Sequence, residues 1–64
     1  MAFRVVYFLE GRQIGESPHD GPLPLTERFA REGLIRHGAD FYRIISLDGS
    51  NAEVASGRRD AKGP

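Results

Sequence analysis

The chain has 64 residues, no cysteine, and nine Lys and Arg balanced by nine Asp and Glu. That length allows one domain at most. The missing cysteines exclude disulfides, thiolate metal sites and cysteine nucleophiles, and the zero net charge gives no global field to draw the chain onto nucleic acid or anionic lipid.

Residues 3–9, FRVVYFL, are rich in β-branched and aromatic types and predict a strand. Phe3, Val5, Tyr7 and Leu9 share one face, and Arg4, Val6 and Phe8 share the other, so both faces are apolar. The apolar start follows a single Arg, alternates like a strand and has no small-residue cleavage site after it, so it is not expected to be a signal peptide. Glu10-Gly11 is a two-residue hairpin signal of the acid–Gly kind. Residues 12–17, RQIGES, predict a plainer return strand at the sheet edge, with Ile14 as its one large apolar residue and Gly15 marking a weak point or bulge. Residues 17–24, SPHDGPLP, hold three of the four prolines and predict a semi-rigid loop leading to the helix, with Leu23 packed under its start.

The helix is expected from Pro24 to His37. At about 100° per residue, Leu25, Phe29, Ala30, Gly33, Leu34 and His37 fall in one half-circle. Phe29, in the middle of that stripe, is expected among the most buried residues. Thr26 is a candidate N-cap, Pro24 a candidate for the first helical position, and Gly38 the expected C-terminal stop. Gly33 in mid-helix and Ile35 on the outer face break the pattern.

Residues 40–47, DFYRIISL, predict a second strong strand in which Phe41, Arg43, Ile45 and Leu47 alternate with Tyr42, Ile44 and Ser46. Asp48 to Asn51 is a turn cluster, and residues 52–56, AEVAS, predict a short fourth strand anchored by Val54. The fold expected is α+β: a two-layer β-β-α-β-β sandwich with a four-stranded antiparallel sheet of order 2-1-3-4 and one helix on one face. Both strong strands are then central and both weak ones are edges. Residues 1–57 form the domain, and 58–64, with no large apolar anchor, are expected to be a disordered tail.

The arrangement resembles small bacterial proteins of unknown function. In those, a strand and Gly turn lead to a Pro-bearing segment, and a helix ends in His-Gly-Ala-Asp before a second hairpin. The matching pieces here are Phe3–Phe8, Gly11, Ser17-Pro18, Ala30-Arg31 and His37-Gly38-Ala39-Asp40. The resemblance covers about residues 3–56, implies the fold, and transfers no activity and no functional residue.

No catalytic residue, metal site or cofactor is expected. His19, Asp20, His37 and Asp40 are a candidate polar site, but no His-x-x-x-His pair supports metal binding. Their plainer roles are loop solvation and a contact at the helix C-terminus. Asp48-Gly49-Ser50-Asn51 lacks the later Glu of a calcium loop, and no serine lies in a nucleophile elbow.

One helix covers one face of a four-stranded sheet. The other face is expected to carry either Val6, Phe8, Tyr42 and Ile44, the candidate interface, or their alternating neighbours, an apolar patch larger than a soluble monomer normally shows. The expected function is therefore a non-catalytic interaction module that self-associates through this face as a homodimer. The alternative is a weak single-stranded nucleic-acid binder using sheet aromatics and Arg residues, which requires the Arg side chains to border the aromatic face. Nucleic acid ranks below a protein partner because Glu27 and Glu32 interleave with the helical arginines. No apolar run approaches the roughly 20 residues that span a bilayer, so no membrane partner is expected. The cytoplasm is the expected location.

Overall fold

A computed structural model describes residues 1–59 of the chain. The strands are β1 (Ala2–Leu9), β2 (Arg12–Asp20), β3 (Phe41–Ser46) and β4 (Glu53–Arg58), and the helix α1 (Leu23–His37) lies between β2 and β3. The sheet order is β2-β1-β3-β4 with every pairing antiparallel. The two strands richest in large apolar residues are central, where a neighbouring strand on each side flanks their side chains.

Register decides which residues the helix covers. Phe3 pairs with Ser46, Val5 with Ile44 and Tyr7 with Tyr42. These residues form the helix-covered face, and with Ala30, Leu34 and Ala39 they make the buried core. Arg4 pairs with Ile45, Val6 with Arg43 and Phe8 with Phe41 on the opposite face. Tyr42 and Ile44 therefore lie under the helix, not beside Val6 and Phe8 as expected. A shift of one residue in pairing moves every side chain to the other face.

The helix packs on the sheet through its smallest residues. Thr26, Ala30, Gly33 and Leu34 are its buried positions. At Gly33 a Cβ would run into the Tyr7 ring, so the mid-helix glycine is the socket for that tyrosine. Tyr42 has a similar socket on the other side: a Cβ at Gly57 would lie 2.7 Å from its hydroxyl oxygen. Phe29 is half-buried rather than central to the core, because the close approach at Gly33 turns the Thr26–Ala30–Gly33 line toward the sheet. Leu23 packs against the core at the helix start.

The helix ends as its glycine predicts. Gly38 has φ 67°, its N–H donates to the Ile35 carbonyl, and Ala39 N–H donates to the Leu34 carbonyl at 2.8 Å. This pairing satisfies two terminal carbonyls, and buried Ala39 joins Leu34 in the core. At the other end Pro22 holds the cap position with no side-chain cap, and Pro24 sits in the first turn where its missing N–H costs nothing. Thr26 is not the cap. It is fully buried, and its hydroxyl donates to the Pro22 carbonyl.

Two boundaries differ from expectation, and the bulge expected at Gly15 is present. The proline-rich segment is not a loop from residue 17: β2 continues through Pro18 and His19 to Asp20. An edge strand tolerates proline because one of its sides has no neighbour to receive an N–H. The pairing of β2 with β1 shifts between Tyr7 and Phe8, leaving Ile14 as the extra residue beside Gly15. At the far edge β4 runs to Arg58, one residue into the expected tail, and Arg59 N–H donates to the Asp40 carbonyl. The rest of that expected tail, 60–64, lies outside the described residues.

Candidate functional site

The open face is built from alternate residues of the two central strands. Arg4, Val6 and Phe8 come from β1, and Phe41, Arg43 and Ile45 from β3. Among the described residues no element packs on this face; the helix meets β1, β2 and β3 from the other side. Phe8 and Phe41 stand opposite one another, with ring centroids 5.7 Å apart and planes tilted by 52°. The Arg43 guanidinium carbon lies 5.4 Å from the Phe8 centroid and 6.0 Å from that of Phe41. From β4, the Arg58 guanidinium carbon lies 5.5 Å from the Phe41 centroid. Arg43 is also held by Glu53, Nε to carboxylate oxygen 3.1 Å, and Arg4 lies 4.0 Å from Glu16.

The arginines change the character of the face. Val6 is buried, and Phe8, Phe41 and Ile45 are only partly exposed, so the patch is smaller than strand alternation suggests. A guanidinium over an aromatic ring is attracted to the ring's negative face and shields its carbon surface from water. Such a surface offers stacking planes and bidentate donors together.

A hollow lies at the end of this face, beside the β1–β2 turn. Phe8, Phe41, Arg43 and Arg58 line it, with Glu10, Gly11 and Asp40 at the turn. Glu10 and Gly11 both have positive φ, 52° and 81°, as a twisted two-residue hairpin turn requires. Asp40 braces the turn: its Oδ2 accepts the Glu10 N–H at 3.1 Å, and its own N–H donates to the Phe8 carbonyl.

The four residues of the candidate polar site do not converge. His19 Nδ1 is hydrogen-bonded to Thr26 Oγ1 at 2.8 Å, and its ring stacks on Phe29. Asp20 pairs with the N-terminal ammonium at 3.2 Å. His37 stacks on Tyr7 with centroids 4.4 Å apart. Asp40 serves the hairpin turn. Among the described residues no group of three His, Cys, Asp or Glu side chains could hold a metal ion. Of the candidate interface, Val6 and Phe8 are on the open face, while Tyr42 and Ile44 are in the core.

Phe41, Arg43 and Arg58 are not among the candidate interface or polar-site residues read from sequence, although Phe41 belongs to the sheet aromatics of the nucleic-acid alternative and Arg58 to a short basic run. A signal for two of the three is present: each strong strand carries one arginine, Arg4 or Arg43, and an arginine cannot sit under the helix. The residues alternating in step with Arg4 and Arg43 therefore mark the open face. Arg58 gave no such signal, because it lies where the sequence alone predicts a tail.

Tyr7 is a buried titratable group on the covered face. Burial raises the Tyr7 phenol above its ordinary value, opposed by the nearby Arg36 charge. Its hydroxyl has no hydrogen-bond partner; Ser17 and Arg36 lie near it without bonding geometry. No described helix is long and apolar enough to cross a membrane. The chain matches no protein-family model, no curated protein and no solved structure.

Proposed function

We propose that the chain is a non-catalytic interaction module that self-associates through the open face of its sheet. The supporting observation is the Phe8–Phe41 pair, placed side by side on a face that no described element covers. Two copies related by a two-fold axis would bring these rings together with Val6 and Ile45. With Tyr42 and Ile44 committed to the core, the apolar contribution is smaller than four freely exposed side chains would give. Association entropy offsets much of the remainder, so the homodimer is weak, micromolar or weaker. Sedimentation equilibrium across a concentration series tests it. Wild type should gain mass with concentration, Phe8→Glu should remain monomeric, and Ile35→Glu, on the outer helix face, should behave as wild type. A wild-type monomer into the high micromolar range sinks the dimer.

A second reading is favoured by one observation: Arg43 and Arg58 border the aromatic pair. Single-stranded nucleic acid is held by bases stacked on aromatic or guanidinium planes and by phosphates on arginine. Labelled oligonucleotides at low and moderate salt test this, since phosphate contacts weaken with salt. Absence of binding at low salt removes it.

A further inference from the structure

We propose that the hollow beside the β1–β2 turn is a subsite for one guanine base of a single-stranded nucleic acid. This rests on the second reading above and narrows it. The hollow combines three chemistries within one end of the sheet. The rings of Phe8 and Phe41 provide stacking surface, the guanidinium groups of Arg43 and Arg58 provide donors, and the carboxylates of Glu10 and Asp40 provide acceptors.

Charge balance selects the occupant. Two guanidiniums and two carboxylates line the hollow, and Glu53 pairs with Arg43 beside it, which makes a poor site for a bare phosphate, since the acidic groups repel it. The same lining makes a poor site for a cation, which the arginines repel. The complementary ligand is a neutral planar ring bearing acceptors on one edge and donors on another. Guanine has this pattern: O6 and N7 form a two-acceptor edge of the kind arginine binds bidentately, and N1–H with the N2 amino group forms a two-donor edge. Adenine, cytosine and uracil lack an edge with two adjacent donors. Asp40 is prepared for the role, because the Glu10 N–H occupies Oδ2 and fixes the carboxylate at the turn. Arg43 is likewise oriented, by Glu53 at 3.1 Å. A base entering the hollow stacks on Phe41 or on the guanidinium planes, and the strand leaves along the face toward Arg4.

The test is a titration of the isotope-labelled full chain with the single-stranded RNA pentanucleotides UUGUU and UUAUU at low salt, read by amide chemical shifts. The expected result is perturbation at Glu10, Gly11, Asp40 and Phe41, with UUGUU about tenfold tighter, as one well-made bidentate contact gives. Asp40→Asn keeps an oxygen for the Glu10 N–H but offers donors to the guanine donor edge. It should bring the two RNAs to nearly equal affinity while leaving binding itself in place. If that variant does not fold, Glu10→Gln carries the same comparison. Arg58→Ala should weaken both RNAs. Equal binding of both RNAs by wild type overturns the guanine subsite and leaves the nucleic-acid reading standing. No binding of either overturns both. Shifts at these amides with GMP, but with neither pentanucleotide, overturn a strand as the occupant. Shifts of Phe8 and Phe41 with protein concentration alone report the self-association proposed above; if UUGUU reverses them the strand competes for the same face and the subsite is supported, and if it leaves them unchanged the subsite is overturned.

Discussion

The two faces of the sheet use the same residue types for opposite ends. On the covered face Tyr7 and Tyr42 stand directly across from one another and are buried, each seated against a glycine, Gly33 or Gly57. On the open face their sequence neighbours Phe8 and Phe41 are also directly opposed, but arginine side chains lie over them instead of a helix. At these two paired positions the polar tyrosines are inside and the apolar phenylalanines outside, the reverse of what hydrophobicity alone would rank, while Phe3 joins the core. Shape and register account for this. The glycine sockets admit a long planar side chain, and the ring under α1 fills the gap that a helix with small contact residues leaves over the sheet.

The largest expected effect breaks that contrast directly. Tyr7→Ala removes a fully buried ring and leaves a void beside Gly33, at a cost of about 3–5 kcal/mol. That is enough to unfold a domain of this size. Phe8→Ala, one residue along, should cost about 1 kcal/mol, since the ring is only partly buried and its burial contribution falls in proportion. Chemical denaturation of the two variants checks the difference; equal losses would mean that the open face is as tightly covered as the core.

Gly33→Ala comes next. In an exposed helix this change stabilises by about 1 kcal/mol. Here the added methyl meets the Tyr7 ring, and overpacking of this kind costs about 1–3 kcal/mol. The net expectation is a lower melting temperature despite the better helix former. A rise in melting temperature would show that the helix can move off the sheet without loss.

The layout was legible in the sequence where pattern and chemistry agree. The strand order follows from placing FRVVYFL and DFYRIISL at the centre, and Gly38 marks the helix end because its left-handed conformation suits glycine. Faces were harder. Each strong strand is apolar on both sides, so hydrophobic alternation could not say which face of β1 shares a layer with which face of β3. Arg4 and Arg43 held the answer. The mid-helix glycine looked like a defect because its partner, Tyr7, is distant in sequence. Pro18 looked like a loop residue because the edge position that tolerates it is a property of the assembled sheet.

Tyr7→Phe sharpens the account of the covered face. The substitution keeps the ring and removes a buried hydroxyl that has no partner, so stability should rise by about 1 kcal/mol. It should also change behaviour in alkali. The folded-state phenol titrates above its ordinary value of 10.0, because burial penalises the phenolate. Between the unfolded and folded values the native state therefore binds more protons, and stability falls as pH rises through that window. Below the unfolded value the contribution is fully present. Wild type should lose stability on going from neutral pH to above the ordinary tyrosine range, and Tyr7→Phe should lose less. Parallel losses would place the alkaline sensitivity elsewhere.

The smallest effect concerns the arginine cover of the open face. Arg43 lies over both phenyl rings and is paired with Glu53 in an exposed setting. An exposed guanidinium–ring contact contributes about 0.5–1 kcal/mol, and an exposed ion pair adds a few tenths at most, screened by salt. Arg43→Ala should therefore destabilise by no more than about 1 kcal/mol while uncovering Phe8 and leaving Phe41 under Arg58 alone. Arg43→Met, which keeps an apolar stem across the rings without the charge, should recover part of that loss. The informative readout is association. If the arginine only shields an apolar patch, Arg43→Ala should strengthen self-association in sedimentation experiments, because more carbon surface faces solvent. If the arginine belongs to the binding surface, the same change should weaken association together with any oligonucleotide binding. The sign of the change in association, not the small stability change, thus separates a face that is protected from one that is in use.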